Sequence, residues 1–426
     1  MKILISGAGI GGLTAALSLH AAGFTDVQVV ESAQELRPLG VGLNLLPNAV
    51  RELAELGLLS AVASQAVATR ELILCNSFGQ LVWREPRGLD AGNEWPQLSI
   101  HRGHLQAVLA DAVRNRLGAH TIATDTRVTA VTPLSGGRVR TSLNHPSTAN
   151  SSTLDTDLLI GADGINSAVR SSLYPREGPP LWNGLTLWRG VAWSMPYLTG
   201  ASMIVAGDDV ERIVLYPIRE RSNGEHTVLV NWVIARRCGD EPQHGDWNRR
   251  TSVDRVIEHA LRWRFDWLDI PAIIRSAPAV FEYPMIDRDP LPRWTFQRVT
   301  LLGDAAHPMY PAGSNGATQA IIDARALAYL LATCDDVDQA LDAYDRQRRN
   351  LMGRIQLSNR AMGPERAITL AHQRAPGGFG DINDVISANE LAQISADYAR
   401  TAGFDPDACA RRSPYNAMNW STHVRQ

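Results

Sequence analysis

The sequence predicts an α/β architecture: a parallel-sheet, Rossmann-like domain, interrupted by an inserted antiparallel β-sheet and closed by C-terminal helices. Three observations predict it. "KILISGAGIGGLTAALSLHAAGFTDVQVVES" at the N-terminus reads as strand, glycine turn, helix and strand, a βαβ unit. From about Leu181 to Tyr283 the texture changes to runs in which apolar and aromatic residues alternate, the period of an antiparallel sheet with one covered face. Residues 301–327, "LLGDAAHPMYPAGSNGATQAIIDARAL", then restore the first texture: an apolar strand, a proline- and glycine-rich loop and an alanine-rich helix.

In order along the chain, the first helix is expected over roughly 11–22 and the second strand ends at Glu31. "LPNAVRELAELGLL" and "HLQAVLADAVRNRLG" read as amphipathic helices stopped at Gly57 and Gly118. "RVTAVTPLSGGRVRTSL" is a hairpin turning at Gly136-Gly137, and "TDLLIGADG" is a strand returning to the first sheet. "LTLWRGVAW", "RIVLYPI" and "TVLVNWVI" are the inserted strands, with "DWNRRTSVDRVIEHALRWRF" a polar turn and helix between them and the return. Helices are expected from roughly 316 to 372, then the loop "RAPGGFGD" at 374–381, one more helix and an irregular tail.

Length and composition narrow the function. At 426 residues and 45% hydrophobic, the chain is long enough for more than one core, since domains split beyond ~250–300 residues. A net charge of −3 argues against a nucleic-acid surface or a polybasic membrane anchor. Cys75, Cys238, Cys334 and Cys409 lie far apart, which fits a reducing cytoplasm and no local zinc cluster. The N-terminus lacks the long apolar core of a signal peptide, and no apolar run suits a transmembrane helix. The expectation is a cytoplasmic protein without nucleic-acid, membrane or metal partners.

Gly7, Gly9 and Gly12 form G-x-G-x-x-G, with Ile10 and Gly11 in the same turn. The first glycine permits the tight turn, the second lets a diphosphate approach the backbone, and the third lets helix pack on strand. Glu31, 19 residues after Gly12, is placed to bond a ribose hydroxyl. This end leaves NAD, NADP and FAD open. Asp304 narrows the choice: a carboxylate at the end of an apolar strand can accept bonds from the sugar-alcohol chain of a flavin. The helix beginning near Gly316 would turn its positive end toward the flavin pyrimidine and stabilise negative charge there by ~1–2 kcal/mol. Asp163-Gly164, in "GADGINSAVR", is a turn when read alone.

With these three signatures in order, the chain resembles the single-component FAD-dependent aromatic hydroxylases, the family of p-hydroxybenzoate and salicylate hydroxylases, over nearly its whole length. "RPLGVGLNLLPNAV", "WREPRGLDAGNEWP", "SIHRGHLQAVL", "DWNR", "YPMIDRDPLPRW" and "GDAAHPMYPAGSNGATQAI" resemble most the branch that hydroxylates phenazine carboxylates with loss of carbon dioxide. The resemblance implies an FAD-binding domain over 1–175 and 291–372, a mainly antiparallel substrate-binding domain over 176–290, and a C-terminal loop, helix and tail over 373–426. It implies FAD as cofactor, NADH or NADPH as transient reductant without its own nucleotide domain, O2 and a small aromatic substrate as partners, with a homodimer left open. It places Asp163 among the cofactor residues, Arg102 on the cofactor phosphates or ribose, and Gly40 to Gly42 and Pro311, Gly313 and Gly316 beside the ring. Arg102 is also readable as a surface arginine.

Oxygen transfer of this kind asks the protein to position an aromatic ring and keep water out. Trp188, Tyr216 and Trp232 are candidates to line that pocket, although alternating aromatics also read as plain core. Arg189 either pairs with a substrate carboxylate or bridges to a nearby acid. His307 reads as a site residue or as a packed, hydrogen-bonded histidine, and no catalytic acid or base is assigned. Two other readings keep the flavin: a reductase without oxygen insertion, and a redox sensor without turnover.

Overall fold

The N-terminal strand Ile3–Ser6 is apolar and fully buried, and the chain leaves it through a glycine turn into the helix Ile10–Ala21. The computed structural model describes residues 1–38, 40–221, 226–239, 249–263, 265–410 and 412–416. Of the "DWNR" stretch only Arg249 lies among them, and the expected tail lies outside them from 417 onward.

Six strands form the first sheet, in the order Thr295–Phe296, Val299–Leu301, Leu158–Gly161, Ile3–Ser6, Val27–Val30 and Ile122–Ala123. All neighbours are parallel except the first pair. The return of 158–161 beside the first strand is therefore as expected, and the glycine turn and Gly303-Asp304 both leave the carboxyl end of this sheet. The hairpin at Gly136-Gly137 joins Arg127–Leu134 to Arg138–His145, with Asn150–Thr156 as a third strand.

The inserted sheet has eight strands: Arg250–Thr251, Val280–Asp287, Leu181–Ser194, Val228–Arg237, Glu211–Glu220, Ser202–Gly207, Glu71–Asn76 and Leu81–Pro86. It is antiparallel except where 202–207 runs parallel to 71–76. Two strands of this sheet, Glu71–Asn76 and Leu81–Pro86, come from the segment before residue 175. Glu71–Asn76 is buried along its whole length, so it completes a core rather than capping an edge, a long-range pairing that local periodicity does not reveal.

The long helices follow as expected, Asn315–Thr333, Val337–Arg360 and Arg366–Arg374, then Ala388–Ala402 beyond the loop. Among the described residues no helix is long and apolar enough to cross a membrane.

The glycine turn is set by close packing. A Cβ on Gly12 would lie 2.0 Å from the Gly7 carbonyl oxygen, and one on Gly7, at φ +104, 2.5 Å from that of Ala162. Both neighbours are backbone and cannot yield cheaply. Gly12→Ala is therefore expected to destabilise the fold by about 3 kcal/mol or more, read as a lowered denaturation midpoint; an unchanged midpoint would contradict the packing role.

Candidate active site

A cavity of about 800 Å³ lies between the carboxyl end of the parallel sheet and one face of the inserted sheet. Gly9, Ile10 and Gly11 of the glycine turn line it, as do Gly42 and Arg102. Asp304, Pro311, Gly313 and Gly316 line it from the second signature. The sequence thus brings together motifs some 300 residues apart.

Glu31 and Asp163 are not among the residues that line the cavity. Glu31 accepts the Ala8 amide at 2.9 Å with one oxygen and the Ala33 amide at 2.9 Å with the other, so it braces the turn. Asp163 accepts amides from Ala168 and Val169 and the Ser167 hydroxyl, which makes it a cap of the helix Ala168–Leu173. Its backbone neighbours Ala162 and Gly164 reach the cavity instead. Burial pushes the Asp163 carboxyl pKa up, against those hydrogen bonds.

Period-two geometry sorts the aromatic candidates. Arg189 and Tyr216 face the cavity. Trp188 and Trp232 do not, and their reading as substrate contacts is corrected. They point to the opposite face, where Trp188 stacks on His259 with ring centroids 5.0 Å apart and bonds Glu282, and Trp232 is wholly buried. Alternation showed that one face was covered, not which. Both faces are: helices Val253–Ala260 and Ile270–Arg275 cover one with an apolar core, and the cavity occupies the other.

Arg189 donates to the Gly42 carbonyl at 3.3 Å and forms no ion pair with a carboxylate among the described residues. Its bridge to an acid is therefore not made. Burial pushes the Tyr216 phenol up to about 12, against the pull of the Arg189 charge. Around them Leu185, Leu187, Val214, Val233 and Met285 give the wall apolar surface, and Asn183, Arg212 and Arg237 of the same strands also line the cavity.

Three features fit a bound flavin dinucleotide. First, a Cβ on Gly9 would meet nothing within 4 Å and its φ of −74° suits any residue, so neither packing nor backbone strain demands glycine there, and a closely approaching ligand would. Second, the helices starting at Ile10 and Asn315 both lack a side-chain cap and an acidic residue in the first turn, which leaves amide donors and a positive dipole end for an anionic partner. Third, Asp304 is open to the cavity yet enclosed by protein behind. Burial raises its pKa, partly offset by the charges of His307 and Arg102, and it forms no hydrogen bond among the described residues. A carboxylate so placed awaits hydroxyl donors.

Sequence reasoning missed the residues that hold this wall. Asp323, wholly buried, accepts the Gly303 amide at 3.2 Å, His307 Nε2 at 2.5 Å and Arg348 Nε at 2.6 Å. His307 is thus the packed, hydrogen-bonded histidine. Asn231, opposite Tyr216 in register, accepts the Gly42 amide at 2.8 Å. An acid inside an otherwise apolar helix face was the available signal for Asp323; Asn231 gave none.

A family model described as an FAD binding domain matches residues 1–356. The chain belongs to this family. The flavoprotein is 44% identical over 362 residues to the phenazine 1,6-dicarboxylic acid hydroxylase PhzS of Lysobacter antibioticus, covering 84% of this chain and 89% of that protein. It is 30% identical over 386 residues to a salicylate hydroxylase of Pseudomonas putida, covering 84% of each. In fold it is similar to Klebsiella pneumoniae HpxO, solved with FAD and uric acid, with a TM-score of 0.72 at 20% identity over 96% of both chains. The flavoprotein is an oxidoreductase of the aromatic hydroxylase class, and FAD is its cofactor.

Gly9→Ala is expected to keep the thermal midpoint of the flavin-free protein while weakening FAD binding about tenfold or more, ~1.4 kcal/mol; equal FAD affinity by titration counts against the ligand reading of Gly9. For Asp323, burial alone would raise the pKa, but Arg348 and His307 hold it below the usual range. Asp323→Asn should cost about 3–5 kcal/mol at neutral pH. Because the folded pKa is depressed, that difference should persist above pH ~4 and shrink as pH falls further; a pH-independent difference in denaturant titrations is the contrary result.

Proposed function

We propose that this flavoprotein uses NADH or NADPH and O2 to hydroxylate a fused heteroaromatic carboxylate of phenazine type, at the carboxyl-bearing carbon and with loss of carbon dioxide. The observation that carries the reading is Arg189, a cavity-lining guanidinium without an acidic partner among the described residues, flanked by the apolar Leu187 and Val233. The identity with a phenazine dicarboxylate hydroxylase supports the same class.

In this reading the turn Gly9 to Gly12 and its helix hold the FAD diphosphate, with Arg102 on a phosphate or ribose. Asp304 takes the sugar-alcohol hydroxyls, and Pro311, Gly313 and Gly316 lie beside the ring. FAD, when bound, would supply the two-electron redox and oxygen-activating chemistry, with the nicotinamide as reductant and water as the second product of O2. The chain's own residues bind and orient. Arg189 pairs with the substrate carboxylate in a fork geometry that fixes the ring plane. Tyr216, with its pKa near 12, keeps its proton and donates to a ring heteroatom. Leu187, Val214 and Met285 exclude water from the ring face. When the carboxyl-bearing carbon gains its bond to oxygen, the bond to the carboxyl carbon breaks, carbon dioxide leaves, and its electron pair restores aromaticity. The four free cysteines, with the buried Cys75 and Cys409 thiols pushed up to about 11, support a cytoplasmic setting.

Turnover with phenazine carboxylates under oxygen-18 gas, followed by mass spectrometry, tests this. The expected product carries one labelled oxygen and has lost carbon dioxide, and Arg189→Gln raises the KM for the carboxylate about tenfold. A labelled product that keeps its carboxylate sinks the decarboxylation. NAD(P)H oxidation with no labelled product favours the reductase reading, and FAD binding without turnover favours the sensor.

A further inference from the structure

Four basic side chains gather beside Gly40 to Gly42. The strand Gln97–His101 pairs with Gly42–Leu45 and sets His101 opposite Gly42. The helix that follows, Arg102–Leu117, carries Arg102 and His104 in its first turn. The His101 and His104 rings lie 4.8 Å apart. Arg219 comes from the strand Glu211–Glu220, which packs against Gln97–His101.

Their bonding is uneven. His101 is satisfied: its Nδ1 accepts the Gly103 amide at 3.2 Å, and the ring also bonds the backbone at Gly40. His104 keeps a buried Nδ1 without a hydrogen-bond partner. Neither Arg102 nor Arg219 forms an ion pair among the described residues. Burial lowers the pKa of both imidazoles; nearby His104, Arg102 and Arg219 lower that of His101 further, and Arg219 that of His104. Among the described residues neither ring forms an ion pair with a carboxylate, and no carboxylate is a main influence on its pKa. Arg102 feels the Asp304 carboxylate across the cavity, whereas Arg219 forms no ion pair among the described residues, so an arriving anion would find a guanidinium and imidazole donors not already taken.

One guanidinium and two imidazoles, drawn from three elements, present more donors than one carboxylate can use; a diphosphate, with its several acceptor oxygens, matches them. The substrate carboxylate already has Arg189 deeper in the cavity. The chain carries one glycine fingerprint, in the fold that binds FAD, so a second dinucleotide needs a site made of side chains. We propose that His101, His104 and Arg219 dock the diphosphate of the NAD(P)H reductant at the Gly40–Gly42 edge of the cavity, beside Arg102, which is left to the flavin. Arg102 lines the cavity and so joins this outer site to the flavin groove. The inference rests on the monooxygenase reading above, because it presumes a nicotinamide reductant.

The test uses the FAD-loaded full chain and the Arg219→Ala, Arg219→Lys and His104→Ala variants. In stopped-flow flavin reduction, Arg219→Ala should raise the NADH or NADPH concentration for half-maximal rate about tenfold, with Arg219→Lys recovering most of it. The limiting rate at saturation, the FAD content and the Kd of an aromatic carboxylate should not move with it. ADP-ribose, which has the diphosphate but no nicotinamide, should bind wild type and lose about tenfold in Arg219→Ala and in His104→Ala by calorimetry. Unchanged nucleotide affinity in both variants overturns the proposal. A changed carboxylate Kd with unchanged ADP-ribose binding also overturns it, and reassigns the cluster to substrate. If wild type is not reduced by either nucleotide, the monooxygenase reading fails, while the ADP-ribose comparison still decides the cluster.

Discussion

One buried carboxylate organises the cofactor end of the cavity. Asp323 sits inside the helix Asn315–Thr333 with no exposure, where an unpaired charge would cost several kcal/mol. It is held by Arg348 from the next helix, by His307 and by the Gly303 amide. Asp304 lies between the last two. Arg348 also bonds Gln319 Oε1 at 2.8 Å, Gln319 bonds Asn315 at 2.9 Å, and Asn315 bonds the Tyr398 hydroxyl at 2.8 Å. A continuous polar chain thus runs under the helix to its start. Buried polar networks restrict geometry, and although His307 Nδ1 is left without a partner, this one ties the loop that carries Asp304 to the helix end that faces the cavity.

The other wall depends on close approach. Gly42 meets the inserted sheet so tightly that a Cβ there would lie 2.7 Å from that of Asn231. Its amide goes to Asn231 and its carbonyl takes Arg189. The residue proposed to hold the substrate is therefore also fastened to the loop beside the cofactor groove, so the two binding functions share one backbone position. Apolar side chains of the same sheet, Leu187, Val214 and Val233 among them, flank Arg189, an arrangement that shields a flat ring from water beside a charged anchor.

Much of the site was legible in the sequence, because short-range steric rules act there. A glycine turn between strand and helix can be read from spacing, since Gly12 packs on the Gly7 carbonyl within the turn, although Gly7 also meets the distant Ala162 carbonyl. Gly-Asp followed by a proline- and glycine-rich loop is likewise local, and Asp304, Pro311, Gly313 and Gly316 all reach the cavity. Asp163 shows the edge of this legibility: its motif marks the right turn, but its side chain serves the next helix. Trp188 and Trp232 lie beyond that edge, because a one-residue change in parity exchanges the faces of a strand and nothing within the strand records which face holds the cavity.

The sequence by itself determined the α/β class, the dinucleotide turn, the second signature and the inserted sheet, all set by spacing and periodicity over a few dozen residues. Tertiary structure decided what depends on pairs far apart in the chain. It placed Glu71–Asn76 and Leu81–Pro86 in the inserted sheet, turned Arg189 and Tyr216 inward and the tryptophans outward, and brought Arg219 beside His101 and His104. The physical reason is the same in each case: burial, charge compensation and strand register are properties of neighbours in space, and a chain acquires those neighbours only when it folds.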